Sequence, residues 1–128
     1  MRPRKAREVR MAHVLVVDDD PNLREVYESV LGDAGYRVTL AADGAEGLLA
    51  LAEDPDVIVL DLMMPVLDGY DFMRLMPTVC APKPVLIVAG QPDRSRLGGR
   101  PILEKPFDAD DLLIRLRRLL PKSAIRSN

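Results

Sequence analysis

The chain has 128 residues, enough for one domain of ordinary size and too few for two. Hydrophobic residues make up 48% of it and charged residues 30%, a balance that excludes intrinsic disorder and predicts a packed globule. The net charge is −2, but the first ten residues carry +4. Residues 11–128 therefore carry −6, and this acidic balance argues against a nucleic-acid surface over the whole domain. The basic N-terminal arm and the acid-free residues 112–128 could still contact phosphates locally.

Cysteine content and hydropathy indicate the compartment. Cys80 is the only cysteine, so the chain forms no intrachain disulfide, as is typical of the reducing cytoplasm. No apolar run approaches the roughly 18 residues of a membrane span, and no export signal follows the basic start. We therefore expect a cytoplasmic protein with no membrane partner. It would consist of a basic extension at residues 1–11, one domain at residues 12–121 and a tail at residues 122–128.

Five strands are predicted along the chain. Residues 14–17, 57–60 and 85–89 are apolar without alternation and rich in β-branched side chains, which is typical of strands buried on both faces of a parallel sheet. Residues 36–40 alternate between apolar and polar side chains and predict a more exposed strand. Residues 101–103 predict a brief fifth strand.

Helices are predicted between these strands. Pro21 directly follows Asp20, which is typical of a helix start, and apolar residues then recur at helical spacing until about Gly32. The second helix is predicted to carry Leu48 and Leu49 on its apolar face. Each predicted helix follows an aspartate that can accept hydrogen bonds from the first turn, and these residues are Asp20, Asp43, Asp68 and Asp108.

The alternation of strands and helices predicts a doubly wound α/β sandwich, in which helices cover both faces of a parallel sheet. One connection departs from this alternation. Eleven residues, 90–100, join the fourth and fifth strands, and Pro92, Gly98 and Gly99 among them disfavour a helix. We therefore expect the fourth helix to be shortened or absent, with an irregular or single-turn connection in its place.

Charged side chains follow three of the predicted strands. Asp18 and Asp19 follow the first strand, Asp61 follows the third, and Lys105 follows the fifth. Ligands of open α/β sheets bind beyond the carboxyl ends of the strands, so these residues are candidates for one site. Neighbouring carboxylates repel one another unless a cation is bound, and such oxygen ligands suit Mg²⁺. An aspartate beside Mg²⁺ can attack a phosphoryl group while a lysine neutralises the developing charge.

Three motifs make the sequence resemble the response regulator receiver domain of two-component signal transduction. They are VVDDDP at residues 16–21, LDLMMPVLDG at residues 60–69 and EKPF at residues 104–107. The resemblance covers residues 12–120 and depends on all three motifs occurring in this order at strand ends. It implies a flavodoxin-like (βα)5 fold whose parallel sheet has the strand order 2-1-3-4-5.

The resemblance also implies a role for each site residue. Asp61 would be the phospho-acceptor and Lys105 would contact the phosphoryl group, with a cis bond between Lys105 and Pro106. Mg²⁺ would be held by Asp18, Asp19, Asp61 and the backbone carbonyl of Met63. The phosphoryl donor would be a histidine kinase or a histidine phosphotransfer protein. A stand-alone receiver would then act by binding a separate downstream protein, and its only catalysis would be slow self-dephosphorylation. No motif indicates which protein that is, or the oligomeric state.

Two positions depart from the family pattern. Ala89 stands where the family has serine or threonine, and Ile102 stands where it has an aromatic residue on the fifth strand. A hydrogen bond to a charged group contributes about 1.5–3 kcal/mol, so the missing hydroxyl removes a substantial interaction with a phosphoryl group. We therefore expect the phosphorylation chemistry to be retained and the conformational response to be muted.

These departures leave two alternatives open. The first is a receiver-like interaction module that keeps the acidic pocket and signals without phosphorylation. The second is a phosphohydrolase that uses a strand-end aspartate, although the run from Asp18 to Asn22 lacks the small hydroxyl residue usual in that superfamily. Turnover of a phosphomonoester would favour the hydrolase, whereas a single stoichiometric phosphorylation would favour the receiver.

Overall fold

The computed structural model describes residues 11–120. The five strands are β1 (His13–Val17), β2 (Arg37–Ala41), β3 (Val57–Asp61), β4 (Val85–Ala89) and β5 (Ile102–Glu104). The α-helices of the described part are α1 (Pro21–Asp33), α2 (Gly44–Ala50), α3 (Gly69–Leu75) and α4 (Ala109–Leu119). Except for Met11, the predicted basic extension at residues 1–11 and the predicted tail at residues 122–128 lie outside the described residues.

The strands form one parallel sheet in the order β2-β1-β3-β4-β5, which confirms the predicted doubly wound topology. In the pairing of β1 with β3, Val17 is opposite Leu60, and in that of β3 with β4, Asp61 is opposite Val88. The fifth strand begins one residue later than predicted, at Ile102. Because all strands run in the same direction, their carboxyl ends meet along one edge of the sheet.

Alternate side chains of the central strands enter two apolar cores, one on each face of the sheet. The first core packs against α1 and α4, and it includes Tyr27, Leu31, Leu112 and Leu116. The second core packs against α2 and α3, and it includes Leu51, Phe72 and Met76. All residues of β1, β3 and β4 are buried, as expected for strands covered on both faces.

Each of the predicted capping aspartates accepts hydrogen bonds from the first turn of its helix. The carboxylate of Asp20 accepts from the backbone N–H groups of Asn22 and Leu23 at 2.9 and 3.3 Å. Asp43, Asp68 and Asp108 accept in the same way from the third residue that follows each of them. These caps satisfy backbone donors that have no partner within the helix, so they determine where the helices begin.

The apolar face predicted for the second helix is wrong for Leu49, which is 78% exposed. The buried residues of α2 are instead Gly44 and Gly47. A Cβ atom at Gly47 would lie 2.9 Å from Val17 and 3.0 Å from Phe72, so this helix approaches the sheet through glycine. The spacing of apolar residues cannot reveal such a contact, because glycine contributes no apolar side chain.

The connector, which we define as residues 90–100, contains no α-helix. It holds one 3-10 turn, Arg94–Arg96, and the side chain of Leu97 fills the second core beneath it. Gly98 and Gly99 adopt positive φ angles of 60° and 75° that glycine tolerates readily. The predicted loss of the fourth helix is therefore confirmed.

Candidate functional site

The carboxyl ends of β1, β3 and β5 bring the predicted charged residues together. One carboxylate oxygen from each of Asp18, Asp19 and Asp61 lies within 4.8 Å of the other two. The ammonium group of Lys105 lies 3.5 Å from Asp61 Oδ1 and 3.6 Å from Asp18 Oδ2. The Lys105-Pro106 peptide bond is cis, as the sequence predicted. Residues 87 positions apart in the chain thus form one charged cluster.

Local hydrogen bonds orient Asp18 at the end of β1. The backbone N–H of Asp20 donates to Asp18 Oδ1 at 2.9 Å, and the guanidinium of Arg24 donates to the backbone carbonyl of Asp18 at 2.9 Å. Asp18 is only 1% exposed, and its Oδ2 atom is buried without a hydrogen-bond partner among the described residues. A buried carboxylate oxygen in this condition is costly, so it indicates a place for a cation.

Asp61, the last residue of β3, is held from two sides. Its Oδ1 atom accepts from the backbone N–H of Met63 at 3.4 Å and from Lys105 Nζ at 3.5 Å. Behind it, Gly69 at the start of α3 approaches so closely that a Cβ atom there would lie 2.4 Å from the backbone oxygen of Asp61. The N–H of Gly69 also donates to the carbonyl of Leu62 at 2.9 Å, which closes the loop between β3 and α3.

Burial controls the proton affinity of this cluster. It raises the pKa of Asp61 to about 6, with Lys105 opposing the rise and Asp18 adding to it. Burial also raises the pKa of Asp18, against the hydrogen bond from Asp20 and the charge of Lys105. Both carboxyls therefore bind protons more tightly than an exposed aspartate because removing a charge from water costs free energy.

The donor set fits a hard divalent cation. Asp18, Asp19 and Asp61 supply three carboxylate oxygens within one cluster. Asp18 Oδ2 accepts no hydrogen bond from the described residues, and a metal ion would supply the missing partner. Mg²⁺ prefers oxygen ligands and usually keeps several waters, which suits a cluster on the wall of an open cleft. The residues present thus agree with the predicted Mg²⁺ site.

The cluster opens into a cleft of about 540 Å³. Met63 lines it with a side chain that is 76% exposed, and Ala89 lines it at the position where the family has a serine or threonine hydroxyl. Two lining residues, Tyr70 and Gln91, were not predicted from the sequence. Their contribution depends on how α3 and the connector pack beside β3, and no motif in the sequence carries that information.

A third unpredicted residue lies beneath the cluster. Tyr27 of α1 is fully buried and stacks on Phe107, with ring centroids 5.8 Å apart. Burial raises the pKa of its hydroxyl, and the charges of Asp18 and Asp61 add to this effect. Its ring packs against Phe107 of the motif that contains Lys105, a contact that the sequence did not indicate.

Two other chemically active residues are separate from the cleft. His13 is the first residue of β1, at the opposite end of the strand, and its Nε2 atom lies 2.8 Å from Thr39 Oγ1. Cys80 lies between α3 and β4 and packs against the second core. Neither side chain lines the cleft that holds the charged cluster. Within residues 11–120, no helix combines the length and apolar character that crossing a membrane requires.

Comparison with known proteins agrees with this geometry. The family model of the response regulator receiver domain matches residues 14–117. Response regulator MprA of Mycobacterium ulcerans is 38% identical over 122 residues, which are 90% of this chain and 53% of that protein. MprA of Mycolicibacterium vanbaalenii is 39% identical over 117 residues, which are 86% of this chain and 51% of that protein. The chain thus spans about half the length of these relatives.

Solved structures show the same fold. The chemotaxis protein CheY4 of Vibrio cholerae superposes with a TM-score of 0.79 at 35% identity, covering 87% of this chain and all of that one. The receiver domain of the Francisella response regulator 1452 superposes with a TM-score of 0.77 at 33% identity, covering 84% of this chain and 95% of that one. Receiver domains are signalling domains of two-component systems rather than conventional enzymes. The match over residues 14–117, together with these relatives, shows that the chain belongs to the response regulator receiver domain family.

Proposed function

We propose that Asp61 accepts a phosphoryl group from a histidine kinase or a histidine phosphotransfer protein and that Mg²⁺ is required for the transfer. The observation that carries this proposal is the convergence of Asp18, Asp19 and Asp61 with Lys105 at one strand edge. Response regulators receive phosphoryl groups from histidine kinases, and this cluster supplies what such a transfer needs. The needs are a nucleophile, oxygen ligands for a cation and a positive charge.

The transfer is a displacement at phosphorus. A carboxylate oxygen of Asp61 attacks, a new O–P bond forms, and the P–N bond to the donor histidine breaks with its electron pair returning to the imidazole. Lys105, whose Nζ lies 3.5 Å from Asp61 Oδ1, stabilises the negative charge on the phosphoryl oxygens. Since Met63 N–H and Lys105 both contact Oδ1, we assign the attack to Oδ2.

Asp18, Asp19, Asp61 and the Met63 carbonyl would hold the Mg²⁺. When bound, the ion would polarise the phosphoryl oxygens and offset the repulsion between the carboxylates. The hydrogen bond from Asp20 to Asp18 Oδ1 keeps the Asp18 carboxylate oriented toward the cluster. The acyl phosphate formed on Asp61 would be lost by slow self-dephosphorylation, so turnover of added phosphomonoesters is not expected.

Intact mass measurement tests the proposal. The native chain is incubated with acetyl phosphate, with Mg²⁺ or with EDTA, and we expect one phosphate to be gained only when Mg²⁺ is present. Asp61→Asn should gain none, whereas Asp71→Asn, which changes a half-buried aspartate on α3 that pairs with Arg74 outside the cluster, should behave as native. A native chain that gains no phosphate, or an Asp61→Asn chain that gains one, would contradict the assignment.

A second candidate function is an interaction module that signals without a phosphorylation switch. Ala89 favours it, because this buried residue lines the cleft and offers no hydroxyl to a phosphoryl group. A ligand shifts a conformational equilibrium only through contacts that differ between the two states. Without such a contact at Ala89, downstream binding would depend little on Asp61.

Ala89→Thr separates the two candidates. We expect the native chain to show a small change in amide exchange over residues 90–105 when Mg²⁺ and beryllofluoride, a phosphoryl mimic, are added. The threonine hydroxyl should enlarge that change by supplying one charge-assisted hydrogen bond. Equal protection in the two proteins would mean that the response does not depend on this hydroxyl.

A further inference from the structure

One aromatic side chain contacts both the cleft and the connector. Tyr70, the second residue of α3, lines the cleft with Asp61, and its hydroxyl accepts a hydrogen bond from the backbone N–H of Asp93 at 3.0 Å. We propose that Tyr70 is a positioning residue that couples the chemical state of Asp61 to the conformation of the connector. This inference rests on the phosphorylation of Asp61 proposed above.

The contacts of Tyr70 hold both ends of the 3-10 turn in the connector. The guanidinium carbon of Arg96 lies 3.8 Å from the centroid of the Tyr70 ring, a cation–π geometry. At the other end, the Asp93 carboxylate accepts from the N–H and hydroxyl of Ser95 at 3.2 and 2.6 Å, so Asp93 caps the turn while its own N–H binds Tyr70. A movement of Tyr70 would therefore move the whole turn.

Other contacts anchor the connector away from the cleft. Leu97 is 1% exposed and belongs to the second core, and the carboxylate of Glu104 on β5 pairs with Arg94 at 2.6 Å. The guanidinium of Arg100 donates to the carbonyl of Leu97 at 3.1 Å. These contacts tie the connector to β5 and the core, whereas the contacts of Tyr70 tie it to the helix that follows Asp61.

Tyr70 is suited to transmit a change because it forms part of the cleft wall. Ala89 offers no hydroxyl that could draw the chain after β4 toward a phosphoryl group. A charged group added to Asp61 would occupy the cleft beside Tyr70 and change the surroundings of its ring and hydroxyl. The hydrogen bond to Asp93 and the stacking of Arg96 would then change together, which alters the exposed surface of the connector.

The first experiment tests the resting contact. Tyr70→Phe removes the hydroxyl and keeps the ring, and we expect amide exchange at Asp93, followed by NMR, to become about fivefold faster when that hydrogen bond is lost. Tyr36→Phe removes the hydroxyl of a tyrosine in the loop between α1 and β2, and the exchange rate of the Asp93 amide should stay unchanged. If the Asp93 amide of Tyr70→Phe exchanged at the same rate as in the native chain, the proposal would be overturned.

The second experiment tests the coupling. When Mg²⁺ and beryllofluoride are added to the native chain, the NMR resonances of the connector amides should shift. This shift should be lost in Tyr70→Leu and reduced in Arg96→Gln. A merely structural role for Tyr70 would leave the shift unchanged. Intact mass after acetyl phosphate is measured on the same proteins, and Arg96→Gln, whose side chain lies outside the cleft lining, should still gain one phosphate.

The two proposals fail in distinguishable ways. If the native chain and Tyr70→Leu both gain a phosphate and their connectors respond equally, the coupling is wrong and the phosphorylation stands. If the native chain gains no phosphate, the proposed function is wrong, and the coupling is wrong with it because there is no modified state to transmit. Should Tyr70→Leu fail to fold, Arg96→Gln decides the coupling, because the side chain of Arg96 is exposed and belongs to neither core.

Discussion

Asp61 must be charged to act as the nucleophile that we propose, yet its surroundings oppose the charge. Burial raises its pKa from an ordinary 3.8 to about 6, Lys105 opposes this rise, and Asp18 adds to it. A carboxyl whose pKa is raised by folding stabilises the folded chain fully below pH 4. That contribution is lost as the pH rises from about 4 to about 6, where the folded chain must release its proton.

We therefore predict that Asp61→Asn stabilises the metal-free protein at pH 7 and makes its free energy of unfolding depend less on pH. The expected gain in the free energy of unfolding is about 2–3 kcal/mol, from about 1.4 kcal/mol for each unit of pKa shift. Urea denaturation in EDTA at several values between pH 4 and pH 7.5 measures it. An Asp61→Asn chain that is less stable than native at pH 7 would contradict the explanation.

Repulsion among the carboxylates of Asp18, Asp19 and Asp61 predicts that Mg²⁺ stabilises the fold. We expect Mg²⁺ to bind the cluster only in the folded chain, so at ten times its dissociation constant it should add about 1.4 kcal/mol to the free energy of unfolding. Thermal unfolding with and without millimolar Mg²⁺ checks this, and we expect the midpoint to rise by several degrees. Asp19→Asn should reduce the rise and Asp71→Asn should not. An unchanged native midpoint would count against the metal site.

At the scale of elements, glycine determines how closely helices approach the strands that carry the site. A Cβ atom at Gly69 would lie 2.4 Å from the backbone oxygen of Asp61 and 2.8 Å from Leu62 Cα, both backbone atoms that cannot move independently. At Gly32 in α1, by contrast, nothing lies within 4 Å of the added atom. These two glycines thus form a matched pair for substitution.

We predict that Gly69→Ala lowers the free energy of unfolding by about 1–3 kcal/mol, the usual cost of overpacking. It should also slow phosphorylation, since α3 would push against the backbone of Asp61. Gly32→Ala should be neutral or stabilise the chain by up to about 1 kcal/mol, because alanine has the higher helix propensity. Urea denaturation and the rate of acetyl phosphate labelling measure both effects. If the two variants had equal free energies of unfolding and equal labelling rates, the contact at Gly69 would accommodate a Cβ atom without cost.

Within residues 11–120, the sheet separates two cores that have no side chain in common. Leu116 of α4 lies in the first core and Ile58 of β3 lies in the second. Because the buried strands lie between these cores, a cavity on one face should not relax into the other. Each core therefore contributes its own share of stability.

We predict that Leu116→Ala costs about 2–5 kcal/mol and Ile58→Val about 0.5–1.5 kcal/mol in the free energy of unfolding. Their effects should add to within about 0.5 kcal/mol in the double variant. A double-mutant cycle by urea denaturation measures the coupling. A coupling larger than this would mean that the cores relax together across the sheet.

The order of the elements and the position of the charged cluster follow from local features of the sequence. Buried strands carry unbroken apolar runs, and capping aspartates act on amides only two or three residues away, so both signals are local. The cluster was predictable because parallel strands place their carboxyl ends at one edge. Asp18, Asp61 and Lys105 were therefore identified from their places in the chain alone.

The side chains that complete the cleft depend instead on how the helices and the connector pack against the sheet. Gly47 of α2 faces the sheet while Leu49 is exposed, since the distance between helix and sheet leaves no room for a Cβ atom at Gly47. Tyr70 joins the cleft to the connector because α3 and the turn at Arg94–Arg96 pack side by side, 23 residues separating its hydroxyl from the amide of Asp93. Such contacts depend on distances between elements, and hydropathy and motif spacing carry no measure of those distances.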